Sequence, residues 1–306
     1  MFVGHGLLAF VVVAVGARRA GYAPAAAARV GLVAALFGTL PDVDILYALT
    51  GLVGIAPTLE SFVESFWTTG NLVHRGVTHS LVVAAVTSAA VALLALPDRT
   101  ANLGGRALFA AFVGVAFLVS GPVGALVATA FVLGALALVG VAGAADVSPR
   151  GTALAAAVGL VTHPFGDLFT GEPPAFLYPF DVALVADRVL LSADPTLHLL
   201  AAFGIELGIV WLALAAYFSL TGRRVRDHVD FRAVPGVGYA GAALVIRNPS
   251  VDLAYQFVFS VLAVGLVGLV PPPRDRLRSW RGATTALAAV TLAAGAYAVA
   301  YLYLAG

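Results

Sequence analysis

Asn71-Leu72-Val73-His74-Arg75-Gly76-Val77-Thr78-His79-Ser80 runs straight into the apolar segment 77–96. A polar cluster that opens a twenty-residue apolar run has one natural setting, because twenty helical residues rise about 30 Å, the thickness of a hydrocarbon core. The fold reading starts here and moves outward in both directions.

Apolar runs recur from end to end, over 2–17, 30–52, 77–96, 107–120, 122–144, 152–170, 197–220, 233–247, 250–270 and 283–304. Hydrophobic residues make up 61% of the 306 and charged residues 11%, against about 25% charged in soluble domains. The period-2 alternation of a β-barrel is absent, and the Ala/Leu/Val/Gly runs suit closely packed helices. The fold class is therefore all-α, a polytopic transmembrane helical bundle of about 8–10 spans. Segments 107–120 and 233–247 are short enough to be half-spans or re-entrant pieces. The first apolar stretch lacks a basic leader and a small-residue cleavage site, so it reads as a retained helix.

There is no cysteine, which excludes disulfides and thiolate ligation. There is no His-Glu-x-x-His, no Gly-x-Ser-x-Gly and no P-loop. Nothing points to nucleic acid. Oligomeric state is not legible.

Arginine orients the bundle. With ten spans, fourteen arginines, at 18–29, 99–106, 150, 223–232 and 274–281, fall on one side, and Arg75, Arg188 and Arg247 on the other. The positive-inside rule places the first group in the cytoplasm. Two long loops, 53–76 and 171–196, then lie outside. In the first, Phe62, Phe66 and Trp67 share one helical face and Glu60 and Glu64 another, which predicts a short interfacial helix. The second, from Gly171 to Phe180, is rich in Pro and aromatics and reads as a rigid lip.

Ionisable groups within spans are costly and face the bundle interior. Here they are His5, Asp42, Asp44, His74, His79, His163, Asp167 and Glu206. His5, Asp42 and His163 each stand thirteen residues from a cytoplasmic arginine, roughly 20 Å along a helix, and His79 opens its span from outside. The expectation is one site in the non-cytoplasmic half. His163 and Asp167 are i, i+4 and share a helical face. Asp42 and Asp44 are i, i+2 and can serve one site only if the helix is interrupted; Gly38 and Pro41 supply that interruption. His74 and His79, five apart, require His74 to sit in the loop. Thr78 and Ser80 read as helix caps or supporting donors, and Arg75 as a partner for an anionic substrate group or a site carboxylate. Glu206 and His198 receive no role.

Imidazole and carboxylate without thiolate suit a divalent metal, zinc first, with manganese or iron as alternatives. The predicted metal ligands are His5, Asp42, Asp44, His74, His79, His163 and Asp167, with Asp44 or Asp167 as general base and Arg75 assisting.

The motifs His5, Leu40-Pro41-Asp42-Val43-Asp44, His74 to Ser80, and His163 with Asp167 resemble the YdjM-type family of predicted membrane-bound metal-dependent hydrolases. The resemblance covers roughly residues 1–180, ending near Pro179-Phe180, and leaves 181–306 as additional transmembrane helices without a role. It implies a membrane hydrolase whose metal is held by these His and Asp residues. The expected reaction is hydrolysis of a phosphoester, ester or amide bond in a lipid or lipid-linked substrate. The alternative is a metal-ion or proton-coupled transporter that uses the same cluster.

Overall fold

The computed structural model describes residues 3–269 and 276–305, and every regular element among them is helical. Phe2 and Val270, at the ends of two anticipated spans, and Arg274 lie outside the described residues. The chain divides into two compact units: residues up to Leu168 with Glu172–Arg188, and Phe169–Gly171 with the chain from Val189 onward.

The first unit begins with a helical hairpin, α1 (Gly4–Arg19) and α2 (Pro24–Thr39). Small residues let the two backbones approach, as membrane helices without a hydrophobic driving force require. A Cβ at Gly6 would stand 2.8 Å from the Ala35 carbonyl oxygen. At Leu40 the α-helix tightens into an unusually long 3₁₀ segment, Leu40–Leu52, with Pro41 in its first turn. The interruption expected at Gly38 and Pro41 is thus a change of helix type and not a gap. It re-aims Asp42 and Asp44, since a 3₁₀ helix turns 120° per residue.

The helix expected at the interface forms as α3 (Leu59–Gly70), capped by the Thr58 hydroxyl on the Ser61 amide. Phe62 and Phe66 stack at 6.1 Å, and Phe66 meets Trp67 edge-on at 5.5 Å. Residues 71–80 form a loop that ends in the 3₁₀ turn Val77–His79. Ser80 then caps α4 (Leu81–Leu94) through the Val82 and Val83 amides.

Next is α5 (Arg99–Ala144), two helical arms joined across a kink at Gly121, φ 64°, ψ −160°, with Pro122 behind it. Phe112 and Phe131 touch, ring centroids 6.0 Å apart. In a straight helix nineteen residues would separate them by about 28 Å. The chain therefore doubles back at Gly121, and the anticipated spans 107–120 and 122–144 are the two arms of one hairpin. Helix α6 (Pro149–Gly166), capped by Ser148, runs into the 3₁₀ turn Asp167–Phe169. It packs on α2 through Gly159, where a Cβ would lie 2.6 Å from the Ala34 carbonyl oxygen and 2.7 Å from the Gly38 amide nitrogen. Phe37, Phe131, Leu160 and Val91 fill the core between these helices.

In the second unit, α7 (Pro195–Leu220) is capped by Asp194, whose other oxygen accepts the Tyr301 hydroxyl at 2.9 Å. The apolar segment 233–247 is mostly a 3₁₀ stretch, Phe231–Leu244, laid along α9 (Arg276–Ala305). Helix α8 (Tyr255–Val264) continues as a 3₁₀ turn to Leu269, and Phe257, Tyr297 and Leu207 centre this unit's core.

Among the described residues, five stretches are long and apolar enough to cross a membrane: Pro24–Leu52, Arg99–Ala144, Pro149–Phe169, Pro195–Leu220 and Trp280–Leu304. The doubling of α5 gives the second of these two arms. The apolar helices Leu81–Leu94 and Tyr255–Leu269 are shorter.

Candidate metal centre

The first unit gathers all seven predicted ligands. His5 comes from the first turn of α1, Asp42 and Asp44 from the 3₁₀ segment after α2, and His74 and His79 from the loop before α4. His163 lies in the last turn of α6, and Asp167 opens the turn after it. His5, Asp44, His79, His163 and Asp167 are buried.

Four atoms converge at the centre. His79 Nε2 lies 2.9 Å from His163 Nε2, 3.6 Å from Asp42 Oδ1 and 3.3 Å from Asp167 Oδ2. His163 Nε2 is 3.5 Å from Asp42 Oδ1 and 4.0 Å from Asp167 Oδ2. The opposite edge of each ring is already committed. His163 Nδ1 donates to the Gly38 carbonyl at 2.7 Å. His79 Nδ1 faces the Thr78 hydroxyl at 3.0 Å and Asp44 Oδ2 at 3.3 Å. These partners assign the proton of each neutral ring to Nδ1 and turn both Nε2 lone pairs inward. With both rings neutral, two lone pairs and two carboxylate oxygens point at one another, an arrangement that an added proton or a metal ion would satisfy.

Asp44 is the hub behind this ring of atoms. Its Oδ1 accepts from His74 Nδ1 at 2.9 Å, and its Oδ2 accepts from the Thr78 hydroxyl at 2.9 Å. A fully buried carboxylate is tolerated because its lone pairs are occupied in this way. His5 stacks on His163, centroids 4.1 Å apart, with Nε2 3.3 Å from Asp167 Oδ1, yet neither of its ring nitrogens is hydrogen-bonded.

Arg75 holds the outer edge. Its backbone adopts φ 67°. Its guanidinium donates to the Glu172 carbonyl at 2.7 Å and to Asp167 Oδ1 at 3.4 Å. Its own carbonyl accepts the Ala175 amide at 2.9 Å. Ser80 adds a second pin: beyond capping α4, its hydroxyl donates to the Tyr178 carbonyl at 2.8 Å. The Pro-rich lip from Gly171 to Phe180 is thus fastened onto the 74–80 loop. Of the two partners considered for Arg75, the structure supplies the site carboxylate. The Gly38 and Tyr178 carbonyls were invisible in the sequence, since a backbone acceptor carries no residue signature.

A metal fits this donor set. A tetrahedral cation about 2.0–2.1 Å from each ligand holds its ligand atoms about 3.3 Å apart, and the five separations above run from 2.9 to 4.0 Å. Three overlapping trios, His5/His163/Asp167, Asp42/His79/His163 and Asp44/His74/His79, each offer donor atoms within 4.8 Å of one another. The His-rich, thiolate-free chemistry and the two unbonded nitrogens of His5 agree with such an ion.

Among the residues left without a role, His198 is occupied by backbone: its Nδ1 accepts the Leu191 amide and its Nε2 donates to the Phe169 carbonyl.

Fold and cluster together define a multi-pass helical membrane protein with a buried His/Asp group able to hold a metal ion. The chain belongs to the YdjM inner membrane protein family, whose model matches residues 1–266. The match runs well past residue 180, where the motifs end, so most of the second unit falls within the family. No curated protein and no solved structure matched the chain.

Proposed function

We propose that this protein is a membrane-embedded metal-dependent hydrolase acting on a phosphoester, ester or amide bond of a lipid or lipid-linked substrate. The observation that carries the reading is the convergence of His163 Nε2, Asp42 Oδ1 and Asp167 Oδ2 on His79 Nε2, at 2.9, 3.6 and 3.3 Å. Arginine placement supports a site in the non-cytoplasmic half.

His79, His163, Asp42 and Asp167 would hold a divalent cation, zinc by donor type, which would supply Lewis acidity to the hydrolysis. The chain's own residues do the rest. Asp44 and the Gly38 carbonyl hold His79 and His163 in one tautomer and one orientation. Asp167 is steadied by Arg75. His74, tethered through Nδ1 to Asp44 and partly exposed, presents Nε2 as the proton acceptor, the arrangement of a carboxylate-oriented general base. Asp44 itself, buried and holding its donors, orients and does not take the proton. The lip held by Arg75 shields the reacting bond from bulk water.

The test is metal content and hydrolysis, measured together on purified wild type and on His79→Ala. Stoichiometric metal and hydrolysis in the wild type, both lost in a variant that still folds, is the expected result. A wild type that retains no stoichiometric metal removes the reading.

A further inference from the structure

Against the 74–80 loop is a cavity of about 280 Å³, lined by residues of that loop, of the lip and of the turn of the α5 hairpin. None of the seven His and Asp residues lines it. Its walls are Val73, Val77, Val123 and Val127, with Ser120 and Tyr178 as the polar exceptions. Those two hydroxyls are 3.1 Å apart and bonded to each other, so the walls offer no charge to a ligand.

We propose that this cavity takes the end of one hydrocarbon chain of a lipid and is the chain-binding subsite for the substrate cleaved at the His/Asp cluster. The subsite assignment rests on the hydrolase reading; chain binding in the cavity does not.

Three observations lead to this occupant. The first is size. An apolar cavity of about 150 Å³ holds benzene, and whole small-molecule sites begin near 300 Å³, so this one suits a chain end of about ten carbons and not a headgroup. The second is the mouth. Leu72, which lines the cavity, is 73% exposed, and Leu118 and Leu126, close in sequence to the lining residues Ser120 and Val127, are 82% and 58% exposed. In a multi-pass membrane protein such an apolar surface faces acyl chains, so a chain reaches the opening without crossing water. The third is continuity. Val73 and Val77 line the cavity, while His74, Thr78 and His79, their neighbours in sequence, face the cluster. One loop is the wall of both spaces, and Tyr178 belongs to the lip that Arg75 and Ser80 fasten over the site. A chain seated here would place its polar end at the edge of that loop, beside the lip.

The experiment uses the full chain reconstituted in phosphatidylcholine vesicles doped with a phosphatidylcholine carrying a diazirine near the end of one acyl chain. After irradiation, labelled peptides are mapped in the wild type, in Val123→Trp, which fills the mouth, and in Val127→Phe, which fills the interior. Metal content is measured on each sample as the check of folding. Label concentrated in 72–77 and 120–127, and reduced several-fold in both variants at unchanged metal content, is the expected result. Label spread evenly over the apolar helices, or concentrated there and indifferent to both substitutions, overturns the proposal. Label concentrated in a protein that binds no metal overturns the hydrolase reading and the subsite assignment with it, while the chain in the cavity stands. Metal bound without concentrated label overturns only the cavity.

Discussion

His79 and His163 come from different helical elements, yet their Nε2 atoms are 2.9 Å apart, while their Nδ1 atoms point away toward Thr78 with Asp44 and toward the Gly38 carbonyl. Neither ring can turn to relieve the approach without abandoning a buried partner. The two lone pairs are therefore held face to face by the fold itself. Replacing either ring by Ala removes one of the four converging atoms outright. Metal affinity should fall by more than the roughly 10–100-fold seen when only a ligand's supporting partner is lost, as measured by competition with a chelator. Affinity within a few-fold of wild type in both variants would mean that the ring of atoms is not the metal site.

Asp44→Asn tests the hub. The substitution keeps the shape but replaces one acceptor oxygen by an NH₂ donor. At least one of His74, Thr78 and His79 then meets a donor where it needs an acceptor. The expected cost is about 10–100-fold in metal affinity, with thermal unfolding of the metal-free protein shifted less than in variants that disturb helix packing. If Asp44 is a ligand and not the support of one, its loss costs as much as His79→Ala, so the two variants measured side by side separate these roles.

The division between what the sequence disclosed and what it did not follows from how each feature is encoded. Spans were legible because burial in hydrocarbon demands long apolar runs, and the ligands because an ionisable group inside such a run is conspicuous. Their convergence was legible too, from spacing to the flanking arginines. Hidden was the manner in which the chain breaks. Gly38 and Pro41 announced an interruption after α2, but not that thirteen residues would continue as a 3₁₀ helix. Gly121-Pro122 separated two apolar runs, but only the contact of Phe112 with Phe131 shows that they fold back as a hairpin. The partners that fix the imidazoles were hidden for a different reason. They include main-chain carbonyls, set by tertiary packing and carried by no side chain.

Packing and chemistry meet at Gly159. It is the contact point of α6 with α2, one turn before His163, and an added Cβ would lie 2.8 Å from Phe37 Cβ as well as against main-chain atoms of Ala34 and Gly38. These are not flexible side-chain ends, so the helices must part. Gly159→Ala is expected to cost about 1–3 kcal/mol as an overpacked contact. It should also lengthen the bond from His163 to the Gly38 carbonyl, lowering metal affinity although no ligand has changed. A stability loss with wild-type metal affinity would show that the helix contact and the site are not coupled.

Gly121 carries the hairpin turn. At φ 64°, ψ −160° it occupies backbone space open essentially to glycine alone. A Cβ there would meet no neighbour within 4 Å, so any cost of Gly121→Ala is conformational and not steric packing. The expected destabilisation is about 1–3 kcal/mol, read as a lower midpoint of thermal unfolding in detergent. An unchanged midpoint would mean that the turn adopts another geometry.

Arg75 combines a strained backbone with a clamp, and two substitutions take these apart. Arg75→Gly relieves the left-handed φ and deletes the guanidinium; Arg75→Ala deletes the guanidinium and keeps the strain. Both lose the bonds to Asp167 and to the Glu172 carbonyl, so both should loosen the lip, seen as faster proteolysis between Gly171 and Phe180 in the reconstituted protein. Wild type already carries the strain that Ala keeps, so the Gly variant should be the more stable of the two by about 1 kcal/mol or more, since a non-glycine residue in a sparsely populated region costs of that order. Arg75→Lys retains the charge but not the fork that reaches a carboxylate and a carbonyl together, and should leave the lip nearly as labile as Ala does. A lip equally protected in all three variants would assign its closure to Ser80 and the main-chain bonds of Ala175 and Phe176, and would leave Arg75 only its contact with Asp167.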